Sequence, residues 1–552
     1  METDTQDFVR RFDAAIVAGN LALAAQELEI HCDLLLAQGH AELFATSVAA
    51  IPPRLQAFHP RMMLALSWRL IAQWRFGQVA DLLAACRMRI DEIQRHRGED
   101  DEVRQLRHAL QHREMMLCLA QDDMSQAEKL CRSLLNERYR SGAYVKGSLY
   151  TSLLQARREQ FKLRDLDLLD TQAIDYLSEE TNSNAFFVHN AVAGLSLFAV
   201  GRNQEAVDRL RETLSSAATM ERGSDMIGAI SALPLAEILY ERGEIAEAQA
   251  LVTRYLPHAR EMGIVDQLIS GYRTAARLCV RRGRHDEAIT FLDEGELFAA
   301  KRGFRRLSAW ILAERLAILL KLGTLGFERH HGHALRRAGV SRQLPGSNVT
   351  TLAEAQAMAW ISVAEAQCRL DDGLRVALAW SRRAHREGAV RSRIRWQLIA
   401  IRFLLLRGEA LRATRLLLEA MEAAAPGGFV SDFMEEQTIL ALLKTLQEDQ
   451  RHAFPPEVDR FVSRILAQGE HSAAPIVAPE ESPASLDRLS PREIDILGLA
   501  AGAWRNQDIA MQLGLTEGTV KWYMQQIYDK LGVRKRSLAV DRARRFGIIR
   551  TS

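Results

Sequence analysis

The chain has 552 residues, 48% hydrophobic and 26% charged, with a formal net charge of +2, as expected of a soluble globular protein with ample core material. No apolar stretch reaches the roughly 18 uninterrupted residues that a membrane helix needs. The opening METDTQDFVRRFDAA lacks the basic start, apolar run and small-residue cleavage site of a signal peptide, so export is not expected.

This length suits either three or four ordinary domains or one long repeat array with an appended module. The six cysteines, Cys32, Cys86, Cys118, Cys131, Cys279 and Cys368, form no C-x-x-C pair. They read as buried free thiols in a reducing cytoplasm rather than as redox or metal groups. The charge is uneven: Ala484 to Ser552 carries 12 Lys/Arg against 7 Asp/Glu, leaving the rest of the chain net negative. Positive charge is thus concentrated where a phosphate backbone would be met.

From the N-terminus to about residue 470 the chain reads as helices joined by short turns. Gly223, Gly263 and Gly303 step by 40, and Gly243, Gly283 and Gly323 repeat that step with an offset of 20. An alanine returns five residues after a turn glycine at Gly19/Ala24, Gly201/Ala206, Gly243/Ala248, Gly283/Ala288 and Gly408/Ala413, and Asp122/Ala127 keeps the spacing without the glycine. Glycine permits a left-handed turn between antiparallel helices, and a small alanine lets the two helices approach closely. The segments ALPLAEILYERGEIAEAQALVTRYL and YRTAARLCVRRGRHDEAITFLDEGELFAA resemble tetratricopeptide helix pairs. Roughly ten stacked pairs are expected, forming a superhelix with a concave wall. The pattern is weakest near residues 55–115 and 140–185.

An interruption between Leu325 and Thr350 contains His330-His331-x-His333. No carboxylate or cysteine completes a ligand spacing, so a partner-contacting or mobile loop is expected rather than a metal site. Residues 470–486, with Pro475, Pro479 and Pro483 among alanines and serines, read as an extended, semi-stiff tether. The expected organisation is a helical-repeat sensor over 1–469, this tether, and a terminal module over 487–552.

In that module Ser490-Pro491-x-Glu493 is a capping box with proline at the first helical position, so a helix starts at Pro491 and stops near Gly502. Asn506 can cap a second helix, Gln507 to Leu513, ended by Gly514. Thr516 caps a third, Glu517 to Leu531, followed by Gly532. Two helices joined by a Gly-Leu-Thr turn make a helix-turn-helix, whose second member is shaped to enter a major groove.

The runs Leu489-Ser490-Pro491-Arg492-Glu493, Arg505-Asn506-Gln507-Asp508-Ile509-Ala510, Thr519-Val520-Lys521-Trp522-Tyr523 and Lys530-Leu531-Gly532-Val533 resemble the reader domain of LuxR/NarL-class transcription regulators. The opening AAIVAGNLALAAQELEIHCDLLLAQGHAELFATSVAAIPP and the closing AAAPGGFVSDFMEEQTILALLKTL resemble the start and end of the helical sensor in MalT-like activators of that class. The expected fold is all-α: a tetratricopeptide-like superhelix followed by a LuxR/NarL-type four-helix helix-turn-helix domain. That family places an ATP-dependent switch before the sensor. This chain has no Gly-Lys dipeptide, hence no phosphate loop, and no cofactor is expected.

Thr516, Thr519, Lys521 and the run Arg534-Lys535-Arg536 are expected at phosphates, because hydroxyls and cations at helix ends satisfy phosphate oxygens. Lys521, Trp522, Gln525 and Gln526 can face one groove, where glutamine pairs with adenine edges and lysine with guanine. Trp522 suits either groove contact or packing. Ile494, Leu497, Ile509, Leu513, Val520, Ile527 and Leu531 read as core. Arg542, Arg544 and Arg545 suit a solvated face better than a phosphate clamp. Tyr523 stands where the family has histidine, and Met524-Gln525-Gln526 are uncharged where basic residues are common. A tyrosine can still donate to a phosphate, so Tyr523 stays among the expected contacts.

The resemblance implies a cytoplasmic, non-enzymatic activator on double-stranded DNA, working with RNA polymerase and dimerising through a last helix, Ser537 to Phe546. Its sensor would answer to a small-molecule or protein effector. The other reading is an interaction scaffold whose helix-turn-helix binds protein.

Overall fold

The computed structural model describes residues 2–37, 40–136, 142–178, 184–219, 224–261, 264–322, 344–448, 454–472, 491–502 and 504–530, with positions 536, 539, 540 and 543. Among these residues the fold is entirely helical, as its sequence periodicity predicts. The 323–343 segment with its histidines, and the stretch 473–490, lie outside them. The Pro456–Ser472 helix runs past residue 470, so the tether cannot begin where proline content alone put it.

The turns explain why the repeat is visible in some places and hidden in others. Gly19, Gly243, Gly283 and Gly408 adopt left-handed backbone angles, φ between +69° and +80°. Trp74, Asp122, Phe161 and Cys368 adopt the same conformation at φ of +54° to +63° without being glycine. In all eight turns the next residue donates its N–H to a carbonyl five positions back, for example Arg75 to Leu70, Lys162 to Arg157, Glu244 to Leu239 and Arg369 to Ala364, at 2.8–2.9 Å. That bond closes the last helical turn and reverses the chain. The alanine five residues after the turn is fully buried at Ala24, Ala127, Ala248, Ala288 and Ala413. At the hidden turns that place is taken by Val79, Leu166 and Gly373. A Cβ at Gly373 would collide with the Phe403 ring, so the close helix approach there requires glycine.

The chain divides into two compact units, 1–200 with 205–234 and 257–267, and 201–204 with 235–256 and 268–552. In the first, the faces between helices carry histidines and amides together with ion pairs. His189 shares Thr151 Oγ1 through Nδ1 at 3.0 Å and meets Asp170 through Nε2 at 3.0 Å, while Arg209 donates to Asp170 at 2.6 Å. His112 lies 3.3 Å from Ser148 Oγ, and Gln155 and Arg158 both reach Asp266, at 3.1 and 3.0 Å. Burial holds His108, His112 and His189 below the ordinary histidine range.

The second unit is joined internally by charge. From the Ser224–Glu241, Val265–Arg281, Arg305–Lys321, Val390–Leu406 and Ser431–Met434 helices come four carboxylates, Glu237, Glu241, Glu314 and Asp432, and four guanidinium groups, Arg273, Arg277, Arg391 and Arg395. Arg273 bridges Glu237 and Glu314 at 3.2 Å each, Arg277 reaches Glu314 at 2.8 Å and Glu241 at 3.1 Å, and Arg395 reaches Glu241 at 2.6 Å and Asp432 at 3.3 Å. Arg391 pairs with Glu237. Such a cluster adds little net stability, because desolvation offsets the attraction, but removing one partner leaves a buried charge and costs about 3–5 kcal/mol.

Candidate nucleic-acid interface

Three helices, Pro491–Ala501, Asn506–Leu513 and Glu517–Lys530, build the reader. Ile496, Leu497, Ala500, Ile509, Val520 and Ile527 form its buried centre, joined by Ala539, Val540 and Ala543 from the last segment. Ile494 and Leu513 pack at the edge of that centre. Gly514 takes φ +67° and returns its N–H to Ala510, ending the second helix as its position in the sequence predicts.

The second helix begins one residue earlier than expected, with Asn506 inside it and Arg505 as the flanking residue. Asp508 accepts the Arg505 N–H at 3.3 Å. The Asn506 side chain, released from capping, accepts from Arg536 at 3.0 Å.

Thr516 starts the third helix as predicted, its hydroxyl oxygen accepting the Thr519 N–H at 3.1 Å. The two threonine hydroxyls lie 2.8 Å apart. The helix has two unlike faces. Val520, Tyr523, Met524 and Ile527 are buried, whereas Lys521 is exposed and Trp522, Gln525 and Gln526 are half-buried. Gly518, Lys521, Trp522 and Gln525 follow helical spacing, so the outward face carries one cation, one indole and one amide in a row, with Gln526 beside it. Lys521 Nζ is held 2.6 Å from Glu517 on the preceding turn. Both are largely exposed, so the pair is weak and readily exchanged for a phosphate.

Two expected contacts are relocated. Tyr523 is 2% exposed, with its ring against Trp522 at 4.8 Å and nearly perpendicular to it. It belongs to the buried centre rather than to a phosphate-facing surface. Helical geometry places the ring, since position 523 lies three residues from Val520 and four from Ile527, both on the inward face, and the Tyr523 hydroxyl is hydrogen-bonded to Thr290 and Asp293 of the His285–Arg302 helix.

Arg536 is likewise turned inward, donating to the carbonyls of Ala500 at 3.2 Å and Trp504 at 2.5 Å as well as to Asn506. It fastens the end of the first helix and the loop after it to the last segment. Arg492 does similar work by donating to the Leu513 carbonyl at 2.7 Å. Neither arginine's internal role is legible from charge patterning, because a cation near a helix end satisfies protein carbonyls and phosphates equally well. Arg534, Lys535, Arg542, Arg544, Arg545 and Leu531 lie outside the described residues, as does most of Ser537–Phe546.

Residues 172–449 match the family model of the MalT-like TPR region, and residues 487–543 match that of the bacterial regulatory proteins of the luxR family. The chain belongs to the MalT-like regulators of the luxR family. Solved structures similar to this MalT-like chain include NprR in complex with its cognate peptide NprX, at 14% identity over 68% of this chain and 97% of that one, with a TM-score of 0.40. Another is a Rap protein complexed with Competence and Sporulation Factor, at 13% identity, 72% and 99% coverage and a TM-score of 0.41. A third is the apo quorum sensor NprR from B. thuringiensis, at 12% identity, 76% and 99% coverage and a TM-score of 0.38.

The MalT-like chain is a DNA-binding transcription regulator with a TPR-like region, and both matched regions belong to regulatory rather than enzymatic families. Among its described residues no group of three or more His, Cys, Asp or Glu is arranged to hold a metal, and no helix is long and apolar enough to cross a membrane. Cys32, Cys86 and Cys131 are buried, as expected of packing thiols, and burial pushes Cys86 up to about 12. Cys118 and Cys279 are only half-buried, and Cys368 departs furthest from that expectation by being exposed, at a left-handed turn.

Proposed function

We propose that this chain is a sequence-specific transcription activator whose helical-repeat part senses an effector and governs the reader. The observation that carries DNA reading is the outward face of the Glu517–Lys530 helix, with Lys521, Trp522, Gln525 and Gln526 over a buried Val520–Tyr523–Ile527 face. Amide and ammonium groups in that register suit the donor and acceptor pattern of a major groove. Thr516 and Thr519, at the helix N-terminus, suit a flanking phosphate, and Arg534 and Lys535 are proposed to reach the backbone from the segment beyond.

With Arg536 and Tyr523 occupied internally, one reader holds DNA weakly. Pairing of two readers on double-stranded DNA through the last segment, followed by contact with RNA polymerase, fits such a protein. Residues 1–469 act as the sensor, for a small molecule or a protein, and the reader is carried on a tether that follows Ser472. Its place of action is the cytoplasm.

A binding experiment with randomised duplexes tests the reading. Enrichment of one motif that vanishes in Lys521→Ala supports it, and absent or salt-insensitive binding overturns it. If about three phosphates are neutralised per reader, log affinity falls against log salt with a slope near −3.

A second reading, protein recognition by the reader, is favoured by one observation. Trp504 and Met511 are exposed beside Asp508 and Gln512 around a shallow cavity of about 480 Å³. Loss of DNA enrichment with retained effects of Trp504→Ala would favour it.

A further inference from the structure

The segment Gly427–Glu436, in the closing motif of the array, is bound by residues roughly two hundred positions earlier in the chain. Asn203 donates to the Gly427 carbonyl at 2.7 Å, and Val430 donates its N–H to the Glu241 carbonyl at 2.7 Å. The Ser431 hydroxyl donates to the Tyr240 carbonyl, and the Tyr240 phenol donates to Glu435 at 2.6 Å. Asp432 joins the ionic cluster through Arg395 at 3.3 Å and Arg277 at 3.5 Å. Phe429, Val430 and Phe433 are fully buried.

This seam joins segments far apart in sequence, and it adds backbone hydrogen bonds to the ion pairs and apolar packing found between successive repeats. Apolar packing is non-directional and yields gradually, whereas buried ion pairs and backbone hydrogen bonds are made or lost as discrete contacts. The seam is also incompletely satisfied. Glu241 is fully buried and its Oε2 has no hydrogen-bond partner. An unsatisfied buried acceptor costs about 1–3 kcal/mol, which subtracts from what closure of the seam gains.

What lies beyond the seam gives it a consequence. The Pro456–Ser472 helix rests on the turn that follows Glu241: Arg464 donates to the Arg242 carbonyl at 2.5 Å, and the Gln468 side chain lies over Gly243. Phe461 of the same helix packs edge-on against Phe433, ring centroids 5.5 Å apart. The last helix before the tether therefore touches both sides of the seam.

We propose that Gly427–Glu436 is a releasable latch, closed on the end of the Ser224–Glu241 helix, whose opening frees the Pro456–Ser472 helix and so transmits the state of the array towards the reader. The latch stands independently of what the reader binds, and only its effect on DNA rests on the function proposed above.

Titration acts on the same seam. Burial, with the Asp432 carboxylate nearby, lifts Glu241 to about 7 against the pull of Arg395, Arg277 and Arg391. The other charged groups around it are Glu237 on its own helix, Arg273 on Val265–Arg281, Glu314 on Arg305–Lys321, and Glu435 beyond Asp432.

Hydrogen exchange on the full chain tests the latch, with Asp432→Asn as the strong variant and Tyr240→Phe as a mild one that removes a single hydrogen bond and no charge. Both are expected to accelerate exchange in 427–436, 237–243 and 456–472, by about tenfold or more for Asp432→Asn, while 101–177 is unchanged. Uniform acceleration in both units, or unchanged exchange in 456–472, overturns the latch. DNA affinity measured on the same proteins is expected to shift at least about threefold when the latch is open. Unchanged affinity with an opened 456–472 helix overturns the link to the reader. Wild-type protein that binds no DNA while the exchange pattern holds removes the DNA-reading function and leaves the latch standing.

Discussion

Arg536 donates to the Asn506 side chain at 3.0 Å, and this one bond takes both residues out of the roles that their positions suggest. Asn506 no longer caps its helix, and Arg536 is no longer available to a phosphate. Arg536→Met is therefore expected to destabilise the reader by about 1.5–3 kcal/mol, the usual loss when a charged donor leaves partly buried acceptors. It should leave the salt dependence of DNA binding unchanged, whereas Lys521→Ala should make the slope shallower by about 1. Thermal unfolding and affinity titrations at several salt concentrations separate the two.

Tyr523 makes a complementary case. Because its ring is buried beside Trp522, Tyr523→Phe is expected to bind DNA within about twofold of wild type, as removing a hydroxyl that meets no phosphate leaves backbone affinity intact. Tyr523→Ala removes the ring from the packed centre and is expected to destabilise the reader by about 3–5 kcal/mol. A large affinity loss in the phenylalanine variant with normal stability would return Tyr523 to the DNA-facing set.

Cys368 holds φ at +54° on an exposed turn, a conformation that costs a non-glycine residue about 1–2 kcal/mol. Cys368→Gly relieves that cost but gains chain entropy when unfolded, so a net stabilisation of about 0.5–1 kcal/mol is expected. Gly283→Ala is the converse. A Cβ there meets nothing within 4 Å, so only the backbone conformation is taxed, and a loss of about 1 kcal/mol is expected. Melting temperatures of the two variants should move in opposite directions.

Both units hold carboxylates whose contribution is lost in acid, Asp170 in the first and Glu314 in the second, so the two should differ in pH response only above about 4.5. His189 lies below its ordinary value because it is buried, so its contribution is lost as pH falls below about 6.5. Burial raises Asp170, but hydrogen bonds from His189 and Arg209 outweigh it and hold the carboxyl at about 2, so its contribution is present above about 4 and lost as pH falls towards 2. Glu241 is the reverse: lifted to about 7, it favours the fold while protonated, and that contribution is lost as pH rises from about 4.5 through 7. Glu241→Gln should thus gain stability relative to wild type as pH is raised from 5 to 8, and His189→Asn should flatten the acid side. Unfolding followed at several pH values with unit-specific probes checks both signs.

The helical repeat was legible wherever glycine marked the turn, as at Gly243 and Gly283, and illegible where Trp74, Phe161 or Cys368 adopts the same backbone. In those turns tertiary packing overrides residue preference, and no local rule announces a left-handed tryptophan. The reader's helices and their Thr516 and Gly514 ends were legible because caps are local chemistry. The inward turn of Arg536 was not, since it depends on which carbonyls the folded chain leaves open. The ionic seam was also invisible, because Glu241 and Arg395 sit on separate helices whose sequences each read as an ordinary charged face.

Each left-handed turn closes with a hydrogen bond drawn from its own helix, so a helix pair is a self-contained piece and an array of such pieces can in principle gain or lose one without disturbing the next. Between Glu241 and Arg395 that freedom ends. Inserting or deleting a pair there would rotate one side of the ionic cluster out of reach of the other, leaving buried charges without partners. With Asn203 held to Gly427 and Arg242 to Arg464 as well, the stretch these contacts span is held to a fixed length.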